Sequence, residues 1–537
     1  MRMLMLLAAG CCATQALAAA WPPPERLLDW KPGVAGGIPE IPVAIALKPA
    51  DLPADGKTDA SAAIQKAIDA VQVPGAVLLP EGAFRLEKRL SLRSGVVLRG
   101  AGLDKTRLVV NAPNSTSGGS VEMRGEKGGE EFAIASGAAL NSTRITLAAA
   151  AGLQPGALVW VYADNDPALM YTKPEWKQNW AENSMGQVLH VKAVQGADVT
   201  LDTPLYLDYK AEFKPRLRVL SPIRRAGLED LHILREDRAE DSIVGIFYAE
   251  DCWVRNVETE RCMRYHIDIR ASRRVTVESC YAHHAHDRGG GGHGYGIEMT
   301  GCASDCLVWN CVLHSLRHAM IVQVGANGGV YAYNFSFDTA GSDNAGKAWW
   351  HSNDVSIHGH YPYALLFEGN VVQCIGVGDY WGPAGPRMTF FRNRIAAPEK
   401  EADLAAYAKL GIHPNKSDPW PRFQMNLTVK DSSHGCNVIG NTFTDGAPLK
   451  IDPSCKDTLA EGNLFDGQLK WNQAQPCPLP ASLFLKEKPA FWGEKPWPAI
   501  GADVDAKGMT PIPAQDWYAR IKRAGKGVPF FKVNSKQ

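Results

Sequence analysis

Short apolar strands recur along the middle of the chain, and each carries one polar residue at the same place. Between about residues 227 and 465, this polar position is occupied in turn by Asn256, Ser279, Asn310, Asn334, Asn370, Asn393, Asn441 and Asn463. The first five spacings are 23, 31, 24, 36 and 23 residues. Repeats of this length with no helix between them predict stacked β-coils rather than a two-sheet sandwich. We expect the asparagines to stack along the coil axis, as amide ladders do in stacked sheets.

The whole chain divides into six segments, one of which contains this repeat. We predict a signal peptide at 1–20, an extended lead-in at 21–50, and an N-terminal cap with the first coils at 51–111. Alternating apolar and polar residues predict an antiparallel β insert at 112–225. The parallel β-helix follows at 226–470, and a C-terminal tail and cap at 471–537.

The first twenty residues have the character of an export signal. Arg2 is followed by a short apolar core, and Ala16-Leu17-Ala18 offers small residues for cleavage. We therefore expect a periplasmic or extracellular protein; the alternative is a lipoprotein processed at Cys11. No later run is long and apolar enough to predict a membrane span.

Charge and cysteine content narrow the partners further. The chain has 57 basic and 57 acidic residues, so bulk charge does not favour nucleic acid, and we expect a monomer. Cys280 and Cys311 each follow a ladder position, so either a disulfide or unpaired inward stacking is compatible with the pattern. Cys455 and Cys477 form a second candidate pair.

The N-terminal region resembles a known superfamily. The segments DGKTDASAAIQKAID from Asp55, GAVLLPEGAFRL from Gly75 and GVVLRGAG from Gly95 are similar to the N-terminal signature of the pectate-lyase-like β-helix proteins. This resemblance implies an all-β fold: a single-stranded right-handed parallel β-helix with an N-terminal capping helix and β insertions. It also implies a secreted protein that acts on polysaccharide, without indicating the reaction.

A second strand precedes each ladder strand and supplies the candidate chemistry. Counting back 11 or 12 residues from the ladder aligns Asp268, Glu298, Gln323 and His358 on adjacent coils. Their strand neighbours, such as Ile267 and Ile297, are apolar. Because side chains alternate between the two faces of a strand, we expect this column to face solvent.

Other polar and aromatic residues surround the predicted column. As substrate-binding residues we predict His266, Arg270, Tyr295, Gln323, Trp350, His360 and Trp381. The aromatic and polar segment at 170–186, inside the β insert, is expected to overhang a binding cleft. Flat aromatic side chains beside carboxylates and cations suit sugar rings, so we expect a polysaccharide substrate.

Comparison with two enzyme classes of the superfamily excludes their chemistry. Tyr265 stands where polygalacturonases have their first catalytic aspartate, and Gly294 and Tyr295 stand where they have a pair. The β-helix alginate and dermatan lyases use a lysine and an arginine in the column. Here those positions hold Glu298 and Gln323, and Arg317-His318 comes about six residues too early.

Two mechanisms remain, with Asp268, Glu298, Arg317, His318 and His358 as candidate catalytic residues. In a lyase, a histidine or tyrosine removes the proton beside a uronate carboxylate, which an arginine or a calcium ion on Asp268 and Glu298 neutralises. In a hydrolase, Asp268 and Glu298 are the reacting pair on neighbouring coils. We favour the lyase over the hydrolase; a non-catalytic sugar-binding protein or an epimerase is the further alternative.

Overall fold

The computed structural model describes residues 22–150, 152–342, 349–396, 425–472, 475–505 and 509–530. The predicted signal peptide and Cys11 lie outside these ranges. Three parallel sheets wind around one apolar core, so the predicted parallel β-helix is confirmed. Within the described ranges, no helix combines the length and apolar character needed to cross a membrane.

Sheets one and two are the two rows of a continuous 23-stranded sheet. Sheet one contains Val43–Ala46, Gly75–Leu78, Val96–Arg99, Thr276–Glu278, Leu307–Trp309, Val330–Ala332, Leu366–Glu368, Thr389–Phe391, Asn437–Ile439 and Leu459–Glu461. Sheet two contains Asp55–Asp59, Gly82–Leu86, Thr106–Val110, Tyr281–Ala285, Val312–His314, Phe335–Phe337, Val371–Val372, Arg394–Ile395, Thr442–Phe443, Asn463–Phe465 and Gln468–Lys470. Two long strands, Gly227–Arg235 and Trp253–Cys262, bend to take part in both rows.

Sheet three has ten strands and carries the predicted chemistry. Its strands are Leu90–Ser91, Gly119–Arg124, Ser242–Phe247, Tyr265–Arg270, Tyr295–Thr300, His318–Val322, Val355–Ile357, Cys374–Val377, Asn426–Val429 and Leu449–Ile451. Small elements lie outside the three sheets: the parallel pair Ile223–Arg224 and Ala249–Glu250, and the hairpin Ala340–Ser342 with Trp349–His351.

The predicted β insertion is a closed six-stranded antiparallel barrel with its own apolar core. Its strands are Glu131–Ser136, Arg144–Leu147, Leu158–Ala163, Met185–Gln195, Asp198–Leu201 and Arg216–Val219. The strand Gly119–Arg124 pairs with Ser242–Phe247 in sheet three. The barrel therefore begins later than the predicted segment 112–225.

Helices are few and sit at the margins. In the described ranges, the α-helices are Ser61–Ala70, Pro167–Met170, Ala502–Asp505 and Pro513–Ala524, and the 3-10 helices are Pro24–Arg26, Pro49–Asp51, Pro174–Trp176, Asn179–Ala181, Ala211–Phe213 and Ala490–Trp492. Ser61–Ala70 buries Ile64 and Ile68 in the main core, as expected of the capping helix. Pro513–Ala524 packs along the flank of sheet two, where Tyr518 contacts Phe337, rather than over the end of the coil stack.

The asparagine ladder exists, but its register shifts by one residue. Strand pairing sets Trp309 opposite Ala332 and Ala332 opposite Glu368, so Asn310 stands opposite Tyr333 rather than opposite Asn334. Asn256, Ser279 and Asn310 occupy the left-handed bend between sheets one and two, with φ of 52°, 52° and 53°. From Asn334 onward, the preceding residue takes the bend and the asparagine follows it.

The later asparagines satisfy one another inside the core. Each accepts hydrogen bonds from the previous one; Asn370 donates its backbone N–H (3.1 Å) and its Nδ2 (2.9 Å) to Asn393 Oδ1. Asn393 in turn donates to Asn441 Oδ1 and to the Phe367 carbonyl oxygen. Cys280 and Cys311 occupy the equivalent position on earlier coils, and all ten cysteines in the described ranges are free. The alternative of unpaired stacking therefore applies, and neither predicted disulfide is present.

We expect Asn393→Ala to lower the free energy of unfolding by about 3 kcal/mol, because each buried group that loses its partner costs about 1–3 kcal/mol. The denaturant midpoint measures this loss. Asn114→Ala, at an exposed turn, is the matched control and should leave the midpoint unchanged. Equal midpoints for the two variants would mean that the ladder adds nothing to stability.

Candidate functional site

Two carboxyl groups lie side by side on sheet three. Asp268 pairs directly opposite Glu298, while their neighbours Ile267 and Ile297 fill the core. The predicted register is therefore right for these two residues. Their side chains face away from the core, as expected, but they are covered rather than exposed: Asp268 is 3% and Glu298 0% accessible.

The predicted column does not continue through Gln323 and His358. Glu298 pairs with Ile321, and Ile321 pairs with Ser356. Gln323 and His358 lie two residues further along, in the column of Arg270 and Thr300. The physical reason is that the turn into sheet one lengthens from 11 residues (Asp268 to Ser279) to 13 (Ser356 to Gly369), while the ladder itself shifts by one.

Arg270 and Gln323 cover the carboxyl pair. Arg270 Nε lies 3.0 Å from both carboxylate oxygens of Asp268, and Arg270 Nη2 lies 3.7 Å from Glu298 Oε2. Gln323 donates its side-chain amide to Glu298 Oε1. Burial, and then the negative charge of Asp268, raises the pKa of Glu298 well above its usual range, so Glu298 is protonated at neutral pH.

This pair does not fit calcium as it stands. Calcium takes six to eight oxygen ligands and prefers ionised carboxylates. Asp268 already binds the Arg270 guanidinium, and Glu298 holds a proton. The calcium hypothesis therefore remains a prediction for which the present contacts offer no support.

A cluster of tyrosine, histidine and arginine side chains lies next to the carboxyl pair. Tyr295 pairs opposite His318, and their ring centroids are 5.3 Å apart. His358 lies 6.0 Å from both rings, and Arg317 Cζ lies 5.8 Å from the Tyr295 centroid. Tyr265 packs edge-on against Tyr295 at 5.5 Å. Sheet three thus brings Arg317, His318 and His358 together around Tyr295.

His318 is held as a neutral base. Its Nδ1 lies 2.9 Å from the Asn353 carbonyl oxygen, which can only accept, so Nδ1 carries the proton and Nε2 keeps its lone pair. Burial, and then the positive charge of Arg317, lowers the pKa of His318 well below its usual value. Arg317 and His318 are also only half-buried, so this edge of the cluster is open to solvent.

Tyr295 is the complementary acid. Burial raises its pKa to about 12, so it is protonated at neutral pH, and the nearby charges of Arg317 and Arg264 oppose this rise. Its hydroxyl lies 3.4 Å from His358 Nε2, which in turn lies 3.7 Å from Asp379 Oδ2. These contacts link Tyr295 to the half-buried His358, from which the tyrosine hydroxyl can regain a proton.

The barrel segment at 170–186 reaches over the same sheet. Its Trp176 carbonyl oxygen accepts a hydrogen bond of 2.8 Å from His360 Nε2. Trp180, 51% exposed, lies edge-on to His360 at 4.4 Å and to Trp381 at 5.7 Å. The result is an aromatic platform of Trp180, Trp381 and the exposed Tyr380 beside the cluster.

Three predicted substrate-binding residues have other positions. His266 is fully buried and bonded to Thr259 Oγ1 and the His284 carbonyl oxygen, so it links its own strand to two strands of sheet two. His360 is 1% exposed, beneath Trp180. Trp350 lies on the hairpin beside Gly341 rather than on sheet three. These three positions do not fit direct substrate contact.

Sequence reasoning missed Asp379, Arg264 and Trp180 as site residues. Asp379 stands next to the aromatic pair Tyr380-Trp381. An acidic residue beside two aromatic residues in a turn was the sequence feature that could have identified it. Arg264 directly precedes Tyr265 and lies 5.3 Å from its ring. Trp180 lay inside the segment expected to overhang the cleft.

Comparison with known proteins agrees with this architecture. The family model described as rhamnogalacturonase A/epimerase, pectate lyase-like, matches residues 49–144. No curated protein sequence matches the chain. The structure of the tailspike gp61 of Pseudomonas phage phi297 aligns over 76% of this chain and 68% of its own, at TM-score 0.50 and 14% identity.

Two further solved structures are similar at lower scores. The Gp54 tailspike of Acinetobacter baumannii bacteriophage AP22, in complex with A. baumannii capsular saccharide, covers 75% of this chain and 66% of its own, at TM-score 0.40 and 12% identity. The mannuronan C-5 epimerase A-module of Azotobacter vinelandii covers 81% and 100%, at TM-score 0.29 and 14% identity. The predicted resemblance is confirmed: the chain has the pectate-lyase-like right-handed parallel β-helix, with no close match to a single member.

Proposed function

We propose that the protein is a polysaccharide lyase that cleaves a uronate-containing glycan by β-elimination at the cluster around Tyr295. The observation that carries this proposal is the state of His318. Its Nε2 lone pair lies at the half-open edge of the site, beside a protonated tyrosine and the Arg317 guanidinium. Base, acid and cation are the three groups that elimination beside a carboxylate requires.

The proposed reaction assigns each group one role. His318 Nε2 removes the proton on the carbon beside the uronate carboxyl group, whose developing negative charge Arg317 stabilises. The carbon–oxygen bond of the glycosidic linkage breaks, and a carbon–carbon double bond forms. Tyr295 donates its proton to the departing oxygen and regains one through His358. The products are a new end bearing an unsaturated uronate and a free hydroxyl.

The burial of the carboxyl pair argues against the hydrolase alternative. A glycoside hydrolase needs both carboxyl groups at the scissile bond. The side chains of Asp268 and Glu298 are 4% and 0% accessible, and Arg270 and Gln323 stand between them and solvent. We assign the pair a positioning role: it fixes Arg270 next to Tyr265, whose ring centroid lies 5.8 Å from the guanidinium carbon.

Digestion of a uronate polymer should raise the ultraviolet absorbance typical of conjugated unsaturated uronates. His318→Ala should lower kcat about 10²-fold or more, because it removes the general base. His286→Ala is the control: this histidine bonds the Arg235 carbonyl oxygen outside the cluster and should leave kcat within a few-fold. New reducing ends without an absorbance change would refute elimination. A loss of activity on chelation that added Ca²⁺ reverses and added Zn²⁺ does not would support the calcium hypothesis.

Glu298→Gln separates the two mechanisms. The lyase should keep activity within a few-fold, whereas a hydrolase would lose a reacting carboxyl group. Because the folded-state pKa of Glu298 is raised, its contribution to stability is present at low pH and is lost as pH rises through that pKa. Between the ordinary pKa of a glutamate and the raised folded-state pKa of Glu298, the wild type should therefore lose about 1 kcal/mol of stability per pH unit relative to the variant, and above the folded-state pKa the difference should stay constant.

The denaturant midpoint at acidic and alkaline pH measures this difference. Glu487→Gln, at an exposed position, is the matched control and should leave the pH dependence unchanged. Inactive Glu298→Gln protein that remains folded would count against the lyase and in favour of the hydrolase.

Trp180→Ala tests the aromatic platform. If Trp180 stacks on a sugar ring away from the reacting bond, its removal should raise KM several-fold and leave kcat nearly unchanged, since uniform binding is lost. Initial rates on polymer and on short oligosaccharides measure the two constants. Unchanged KM on the polymer would show that the barrel segment does not bind substrate.

A further inference from the structure

A second cluster of ionisable side chains lies on sheet two, away from the Tyr295 cluster. His232 pairs opposite Glu258, and Glu260 pairs opposite His283. Glu258 and Glu260 are two residues apart, so both face the same side of the strand Trp253–Cys262. Three successive coils therefore present two imidazoles and two carboxylates on one patch, which we call the sheet-two cluster.

Three of the four residues of the sheet-two cluster have converging donor atoms, and the fourth, His283, lies beside Glu258. One ligand atom from each of His232, Glu258 and Glu260 lies within 4.8 Å of the others. His232 Nε2 lies 3.1 Å from Glu260 Oε2 and 3.7 Å from Glu258 Oε1, and His283 Nε2 lies 3.0 Å from Glu258 Oε1. All four side chains are largely buried, with accessibilities of 7–19%.

His232 Nε2 also lacks a hydrogen-bond partner. It is buried, and within the described part of the chain its orientation forms no hydrogen bond. A buried polar atom without a partner costs free energy unless a ligand satisfies it.

The cluster opens into a cavity of about 520 Å³ between sheet two and the C-terminal tail. Lys522 and Lys526 line the tail side of this cavity, and Arg107 lines the sheet side. The tail presses directly on the cluster: a Cβ added at Gly527 would lie 1.7 Å from Glu258 Oε2. A ligand in the cluster would thus be enclosed by sheet and tail together.

Imidazole nitrogens combined with carboxylate oxygens select among metal ions. Calcium and magnesium prefer all-oxygen sites, whereas zinc and related divalent transition metals accept nitrogen and oxygen donors in four-coordinate geometry. His232, Glu258 and Glu260 supply three converging donors from two adjacent strands, and a water molecule commonly takes the fourth position of such a site. Without a metal, the same residues form an ion-pair network, which is the alternative that experiment must exclude.

We propose that His232, Glu258 and Glu260 bind one divalent transition-metal ion of the zinc type, with His283 next to Glu258 at the edge of the site. The ion ties two successive coils together beneath the C-terminal tail. This site is independent of the proposed elimination chemistry, because it lies on a different sheet. Metal binding should therefore raise the stability of the folded protein whatever the polysaccharide substrate is.

Cobalt titration of the full-length protein, stripped of metal by a chelator, tests the proposal. We expect one equivalent of Co²⁺ to bind, with visible absorbance of nitrogen and oxygen ligation and without thiolate-to-cobalt charge transfer. Zn²⁺ should displace it and raise the melting temperature, since a ligand that binds only the folded state stabilises it. His232→Ala and Glu260→Gln should each weaken binding at least ten-fold.

Matched variants separate the cluster from other histidines. His293 lies in the glycine-rich loop, bonded to Asp287 and Glu240. The variant His293→Ala should therefore bind cobalt as the wild type does. His318→Ala should also retain binding, so failure of the lyase proposal would leave this test intact. Gly527→Ala, which crowds Glu258 without removing a donor, should weaken binding.

Two results would overturn the proposal. Absence of saturable cobalt or zinc binding would identify the sheet-two cluster as an ion-pair network alone. Binding that survives both His232→Ala and Glu260→Gln, or that is lost in His293→Ala, would place the metal elsewhere. If the substituted proteins fold poorly, the conservative variant His232→Gln gives the same comparison with less change in volume.

Discussion

The left-handed bend between sheets one and two is the constraint on which the rest of the structure depends. Every coil must turn there inside the protein, where backbone polar groups have no access to water. The chain meets this demand with asparagine: each buried amide of the later coils bonds the backbone and the side chain of its neighbour. Once this bend is fixed, the register of the flanking strands follows, and sheet three is presented as a rigid surface.

The repeat could be read from the sequence because its chemical cause is local. An asparagine, or Ser279 in one coil, stands at the bend or directly after it, and the adjacency of Asp268 and Glu298 followed from counting back to this position. The count failed for Gln323 and His358 because the intervening turn grows by two residues, and nothing in the sequence marks an added turn residue. The one-residue shift between Asn310 and Asn334 was also not visible in the sequence. An asparagine can satisfy the backbone of the bend either from the bend position, as Asn310 does, or from the position that follows it, as Asn334 does.

Burial was harder to predict than register. Alternation placed Asp268 and Glu298 on the outer face, but Arg270 and Gln323 fold over them, and a two-residue period does not reveal such cover. His266 has the alternation of an outward residue, yet it turns inward to Thr259 and the His284 carbonyl oxygen. The contacts of the barrel and of the C-terminal tail join residues far apart in sequence. The Trp176–His360 bond and the tail against Glu258 therefore had no local signal.

In the proposed reaction the sugar binds at His318 and Tyr295, and the carboxyl pair supports Arg270 from beneath. A crystal structure of inactive His318→Ala protein with a uronate oligosaccharide tests this most directly. We predict a uronate carboxylate bound by Arg317, with the carbon beside it facing the vacated His318 position and a neighbouring sugar on Trp180 or Trp381. A glycosidic oxygen bound at Asp268 and Glu298, or an oligosaccharide seated on sheet two, would contradict the account.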